Sequence, residues 1–189
     1  IEALSRVPVE VDIASEYRYR DPIVPKGTLV IAVSQSGETA DTLAAAALAK
    51  ERGAKVLALT NVPYSSLTAL ADLVLLTHAG RETAVAATKS FCAQLASLYS
   101  LAAALAALKG RSAPSLAPFP ALCEDALSRS EKVKEWARVL CQKKSVYFIG
   151  RGADYAAAIE GSLKLTEVSY LASEGYPAGE LKHGTLALV

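Results

Sequence analysis

Apolar positions in this 189-residue chain come in two rhythms. Leu29–Val33, Val56–Leu59, Leu73–Leu76 and Val146–Ile149 are short apolar runs without polar alternation. Such runs predict strands buried on both faces, as in parallel sheets. The segments between them carry helical spacing. The pattern predicts strands over 29–34, 55–60 and 73–77 and helices over 40–52, 65–71 and 84–108. Gly53 stands where the first of these helices would stop. Residues 1–27 read as a short helix end, a strand-like alternation over 7–13 and a charged turn over 16–21. A β-α-β-α-β order with right-handed crossovers implies a doubly wound parallel sheet, sandwiched between helices. Ligands of such sheets sit at the carboxyl ends of the strands, which here means the 34–39 turn and the 79–88 loop.

The rhythm then restarts. Residues 110–120 hold one glycine, three prolines and two serines and read as a linker. Residues 122–141 predict one charged, amphipathic helix. A strand follows at 145–149, then Gly150-Arg151-Gly152 and a helix from about 155 to 172. Residues 186–189 read as the opening of another strand. The expected organisation is a first unit over 1–109, a linker and connecting helix over 110–144, and the truncated start of a second unit over 145–189. The first unit is also expected to miss a strand upstream of Ile1.

Composition narrows the function. The net charge is +1, which argues against broad electrostatic binding of nucleic acid. No basic-then-apolar leader opens the sequence. The apolar stretch 91–108 is mostly Ala, Leu and Ser, and predicts a buried helix rather than a membrane span. Cys92, Cys123 and Cys141 are odd in number and far apart, so they fit neither a disulfide scaffold nor a zinc site. They suggest a reducing compartment.

The candidate chemistry begins in the first strand-to-helix turn. Ser34, Gln35, Ser36, Gly37 and Thr39 place three hydroxyls, an amide and a glycine before a helix start. Helix starts expose unpaired N–H groups and partial positive charge, which suit an oxyanion. The turn reads as a phosphate cradle without the lysine of a nucleotide P-loop; a Ser/Thr-rich helix cap explains the same residues. Glu160, Lys164 and Glu167 lie at i, i+4 and i+7 and share one helix face. They form either a solvated ion-pair stripe or a carboxylate whose basicity is set by a lysine. His183 lies on a glycine-bounded loop, which leaves it free to reach a substrate, and His78 ends a strand. Thr83 reads as the cap of the 84–108 helix, with Glu82 at its positive end. The small residues from Val85 to Ala87 would let backbone approach a ligand. Gly150-Arg151-Gly152 is not a dinucleotide fingerprint, because Tyr155 replaces the third glycine.

In order along the chain stand Ser34-Gln35-Ser36-Gly37-Glu38-Thr39-Ala40-Asp41-Thr42-Leu43, Ala79-Gly80-x-Glu82-x-x-Val85-Ala86-x-Thr88-Lys89, Gly150-Arg151-Gly152, Glu160-Gly161-x-Leu163-Lys164-Leu165-x-Glu167 and Ala178-Gly179-Glu180-Leu181-Lys182-His183-Gly184. Together with 9–20, this set resembles the sugar isomerase domains of the glutamine–fructose-6-phosphate aminotransferases, also called glucosamine-6-phosphate synthases. The resemblance covers nearly the whole chain. It implies a flavodoxin-like, three-layer α/β/α sandwich with a parallel sheet, followed by an incomplete second copy. Fructose 6-phosphate would be converted with ammonia to glucosamine 6-phosphate.

By the same resemblance Ser34, Gln35, Ser36 and Thr39 hold the sugar phosphate, and backbone near Val85 and Ala87 contacts the sugar. Glu167 shuttles a proton between C1 and C2, assisted by Lys164 with Glu160 nearby. His183 helps open the ring, reaching the site from a partner subunit, so a homodimer is expected. No metal or organic cofactor is implied. The expected setting is cytoplasmic, without nucleic acid or membrane partners. The family also carries a glutaminase domain with an N-terminal cysteine nucleophile, and a C-terminal tail whose lysine forms a Schiff base. Neither lies in these residues, so the chain alone is expected to bind hexose phosphate incompletely and not to run the full reaction. Ala87 replaces a usual serine, Thr166 a usual lysine and Thr185 a usual proline. The 85–90 run is closer to glucosamine-6-phosphate deaminases, the second enzyme reading. A non-catalytic sugar-phosphate-binding domain is the third, against which the presence of both Glu167 and His183 weighs.

Overall fold

The computed structural model describes residues 1–188; they divide into two compact units, Ile1–Leu116 and the residues from Ala117 onward. In the first unit, β1 (Leu29–Ser34), β2 (Lys55–Thr60) and β3 (Leu73–Leu76) form a parallel sheet in the order β1-β2-β3. The register sets Ser34 beside Thr60 and Thr60 beside Leu76. All three carboxyl ends therefore finish along one edge. Helices α3 (Ala40–Glu51) and α4 (Ser66–Leu70) make the two crossovers. Both crossovers step the same way across the sheet, so right-handedness places both helices on one face. Ala32, Val56 and Ala58 meet Ala46 of α3 and Leu67 of α4 there, with Leu43, Leu70 and Ala71 around them. Alanine at three of these five positions lets helix and sheet approach closely. Central β2 is buried on both faces from Val56 to Thr60, which is why it reads as an unbroken apolar run.

Four expectations for the first unit are corrected. Residues 7–13 form no strand, and Val11 and Ile13 are exposed: alternation alone gives no strand without a neighbour to pair with. Part of the charged segment is a single turn, α2 (Ala14–Tyr17), whose following Arg18 pairs with Asp41 at 2.7 Å. The long helix α5 begins at Lys89, not near 84, and runs to Leu108. It is also only partly buried. It packs on α1 (Glu2–Ser5), Ser90, Ala102 and Ala106 are covered, and Tyr99 and Leu108 are exposed. By length and composition α5 is apolar enough to cross a membrane, the one such helix among the described residues.

In the second unit, the helix expected over 122–141 is two, α6 (Phe119–Ser128) and α7 (Ser130–Leu140). They are hinged at Arg129, which pairs with Asp125 at 2.6 Å. Then β4 (Ser145–Gly150), α8 (Ala153–Ser169) and β5 (Ala172–Pro177) build a parallel β-α-β unit. β5 is a second strand where one was expected, and α8 is correspondingly shorter. Tyr170 takes a left-handed conformation (φ +60°) that ends the helix. Gly175 explains the strand's unpromising composition: a Cβ there would stand 2.9 Å from the Ile159 backbone of α8. The expected strand opening at 186–189 is also corrected, since Thr185–Leu188 is a 3₁₀ turn; Val189 lies outside the described residues.

Candidate functional site

Ser34, Gln35, Ser36 and Thr39 are brought together in the turn from β1 to α3. Ser34 is buried. Its Oγ accepts from the Gly37 amide at 3.0 Å and lies 2.9 Å from Thr39 Oγ1. Ser36 Oγ accepts from the Glu38 amide at 3.1 Å. Thr39 occupies the N-cap position of α3, with its hydroxyl turned to Ser34 and no side-chain cap bond to the helix. Gly37 needs to be glycine. Its φ is +69°, and a Cβ would fall 2.1 Å from Ser65 Oγ. The turn is fastened to the start of α4 by the Leu67 amide on the Gly37 carbonyl at 3.0 Å and by the Ser66 amide on Glu38 Oε1 at 2.8 Å. The Ser66 side chain, and after it the Ser66 amide, hold the Glu38 carboxyl below the usual carboxylate range. The turn is thus a prebuilt loop of hydroxyls and amides at a helix start, the surroundings that suit an oxyanion.

Val85 and Ala87 lie in the loop between β3 and α5, not on the helix. Val85 is fully exposed and Ala87 half-buried. Thr83 does not cap α5. Thr88 holds the N-cap position, and Glu82 bridges back to the helix start. Glu82 Oε2 accepts from Ser90 Oγ at 2.8 Å, the Ser90 amide at 3.1 Å and the Thr88 amide at 3.4 Å. The Ser90 hydroxyl is the first of the groups that hold the Glu82 carboxyl below its ordinary value. The local signal, an acid near a helix start, was right about the charge and misplaced the start by one turn.

On α8, Lys164 Nζ lies 2.6 Å from Glu167 Oε2 and 3.6 Å from Glu160 Oε1. The i, i+4, i+7 stripe is therefore one connected triad. Its three side chains keep between 23% and 32% of their surface, so the triad is partly covered. The hydrogen bond to Glu167 leads the causes that raise Lys164 above its ordinary value. The ammonium stays charged and offers Glu167 a standing counter-ion. α8 starts from Gly152 (φ +59°) after the close approach of Gly150, where a Cβ would meet the Asp154 carbonyl at 2.3 Å. His183 is exposed in the turn that follows β5, its amide donating to the Glu180 carbonyl at 2.9 Å. Thr166, the departure from a usual lysine, donates through its hydroxyl to the Leu171 carbonyl at 3.1 Å. His78 has φ +52°, two residues past the end of β3.

Sequence reasoning missed Asn61. Its amide donates to the Gln35 carbonyl at 3.1 Å. Its side chain holds the start of the 79–88 loop through the Gly80 carbonyl (2.7 Å), the Ala79 amide (2.8 Å) and Thr77 Oγ1 (3.1 Å). An asparagine before a proline-containing turn looks like ordinary turn chemistry, so nothing local flags this role.

Parallel sheets with flanking helices match the fold of the sugar isomerase class of domain. The SIS domain family matches residues 1–104 and 139–189, and the chain belongs to that family. It is 51% identical, over its whole length, to glutamine–fructose-6-phosphate aminotransferase [isomerizing] of Clostridium tetani, and 52% identical to that of Legionella pneumophila. It spans 32% of the length of each. Among solved structures it resembles the C-terminal domain of glucosamine-fructose-6-phosphate aminotransferase from Francisella tularensis. The TM-score is 0.91 at 41% identity, over 100% of this chain and 56% of that one. Glucosamine-6-phosphate deaminase from Thermotoga maritima matches at TM-score 0.80 and 26% identity, over 100% and 58%. The parallel α/β fold and the aminotransferase resemblance expected from the sequence both hold.

Proposed function

We propose that this chain is the isomerase part of a glutamine–fructose-6-phosphate aminotransferase, binding fructose 6-phosphate and supporting its conversion with ammonia to glucosamine 6-phosphate. The observation that carries this is identity of about half, over every residue of the chain, to enzymes of that name. Ser34, Gln35, Ser36 and Thr39 take the phosphate, with hydroxyls and amides as neutral donors. Backbone near Val85 and Ala87 touches the sugar. Glu167, paired with Lys164, removes the C1 proton of the open-chain ketose and returns it at C2, which turns ketose into aldose. Glu160 completes the counter-charge on Lys164. His183 donates to the ring oxygen during opening and comes from the second subunit of a homodimer. A glutaminase domain supplies the ammonia in the full-length protein, and the setting is cytoplasmic.

The deaminase reading rests on the 85–90 run and on the Thermotoga maritima structure. Lower identity (26% against 41%) and the lower TM-score favour the aminotransferase. Incubating the full-length protein with glutamine and fructose 6-phosphate tests the choice. Glucosamine 6-phosphate should accumulate only when glutamine is present. Its absence, together with ammonia release from glucosamine 6-phosphate, would transfer the assignment to the deaminase.

A further inference from the structure

The turn from β1 to α3 and the loop from β3 to α5 come from opposite edge strands, separated by β2. A ligand with an anionic end and a hydroxylated body, spanning both, needs them at a fixed separation. One residue at the end of β2 touches each. Asn61 donates its main-chain N–H to the Gln35 carbonyl on one side, supported by Thr60 Oγ1 donating to the same carbonyl at 3.3 Å. Its carboxamide engages the other side completely. Nδ2 donates to the Gly80 carbonyl, while Oδ1 accepts from the Ala79 amide and the Thr77 hydroxyl. The loop it grips holds one residue at a conformational cost, His78 (φ +52°), two positions before a left-handed Gly80 (φ +73°) that bears none. A backbone of that kind persists only when its surroundings fix it, and the carboxamide satisfies the amide between those two residues. At the far end, Glu82 fastens the loop to α5 through Thr88 and Ser90.

We infer that Asn61 is a positioning residue that sets the distance between the phosphate turn and the sugar-facing loop, so that affinity for a whole hexose phosphate exceeds that for its phosphate alone. This rests on the functional reading above. Asn61 contacts no reacting atom; it acts through Gln35 on one side and Ala79–Gly80 on the other. Both an amide donor and an amide acceptor are needed, because the loop offers a carbonyl and an N–H.

The test compares the full-length protein with Asn61→Asp, which keeps the acceptor and loses the Nδ2 donor, and with Asn61→Ala. Calorimetric titrations use fructose 6-phosphate and, separately, inorganic phosphate. Amide hydrogen exchange reads residues 79–88 and 35–39. In Asn61→Ala, fructose 6-phosphate should weaken about tenfold or more, as loss of well-made hydrogen bonds predicts. Inorganic phosphate should keep its affinity, and exchange should quicken in 79–88 but not in 35–39. Asn61→Asp should fall between. A general loss of stability would lower both affinities together and quicken exchange in both segments, and that outcome overturns the assignment. So does an unchanged ratio of the two affinities. A wild-type protein that binds fructose 6-phosphate no better than phosphate would instead count against the functional reading, and exchange in 79–88 would still decide whether Asn61 holds the loop.

Discussion

The turn from β1 to α3 and the charged face of α8 are both polar clusters on apolar scaffolds, yet they are held in opposite ways. The turn contains hydroxyls and amides, is partly buried, and is tied by hydrogen bonds to β1, β2 and α4. Glu160, Lys164 and Glu167 hold one another, with no partner from outside α8 among the contacts described. Under the proposed function, the first arrangement suits the part of the ligand that does not change during the reaction. The second leaves a carboxylate beside a lysine, free to exchange one pairing for another. A group that must give and take a proton gains from that freedom, and a binding loop loses by it.

The contrast is broken most severely at Glu167. Glu167→Gln keeps the shape and removes the base. Isomerisation should fall by about 10²–10⁴-fold, while fructose 6-phosphate affinity changes little. Turnover near wild type in a coupled assay would take the base role from Glu167. Next is Gly37→Ala. A methyl group 2.1 Å from Ser65 Oγ, at φ +69°, should cost about 2–4 kcal/mol of stability. Thermal unfolding would measure it, with the loss in the first unit. The same change at Gly184, where a Cβ meets nothing within 4 Å and only the backbone strain of φ +106° remains, should cost less, about 1–2 kcal/mol.

The smallest effects concern pH, and the two regions respond at opposite ends. Glu38, Asp72 and Glu82 all sit below their ordinary values. Glu38 is lowered mainly by Ser66, Asp72 by the Val56 amide and Glu82 by Ser90. Their contribution is complete above the ordinary carboxylate range and is lost as pH falls through their depressed values. Lys164 is raised above its ordinary 10.5, so its contribution is complete below that pH and is lost as pH rises through the elevated value. The first unit should therefore loosen in acid, and the α8 triad in strong alkali. Amide signals of the two units followed separately across pH would show it, and simultaneous loss at one pH would refute it.

Much of this was legible from the pattern of apolar runs. β1, β2, β3, β4, α3 and α4 follow from uninterrupted apolar strands and from turn residues at their ends. β5 was hidden because its glycine answers to a neighbouring helix backbone, a constraint with no local trace. The start of α5 was misread because Thr83 mimics a cap, while the real arrangement recruits Glu82 from six and eight residues upstream of Thr88 and Ser90. Within the site, residue types were readable and their bracing was not. The Ser34–Thr39 turn declares itself within a few residues, whereas Asn61 bonds to positions 16 to 26 residues away in sequence.

The central claim is that the β1–α3 turn grips the phosphate of a hexose phosphate. Calorimetric titration of fructose 6-phosphate into the full-length wild-type protein and Ser36→Ala tests it most directly. Loss of a hydroxyl donor to a charged oxygen should weaken binding by about 1.5–3 kcal/mol, with unfolding temperature nearly unchanged. Equal affinity in the two proteins would contradict it.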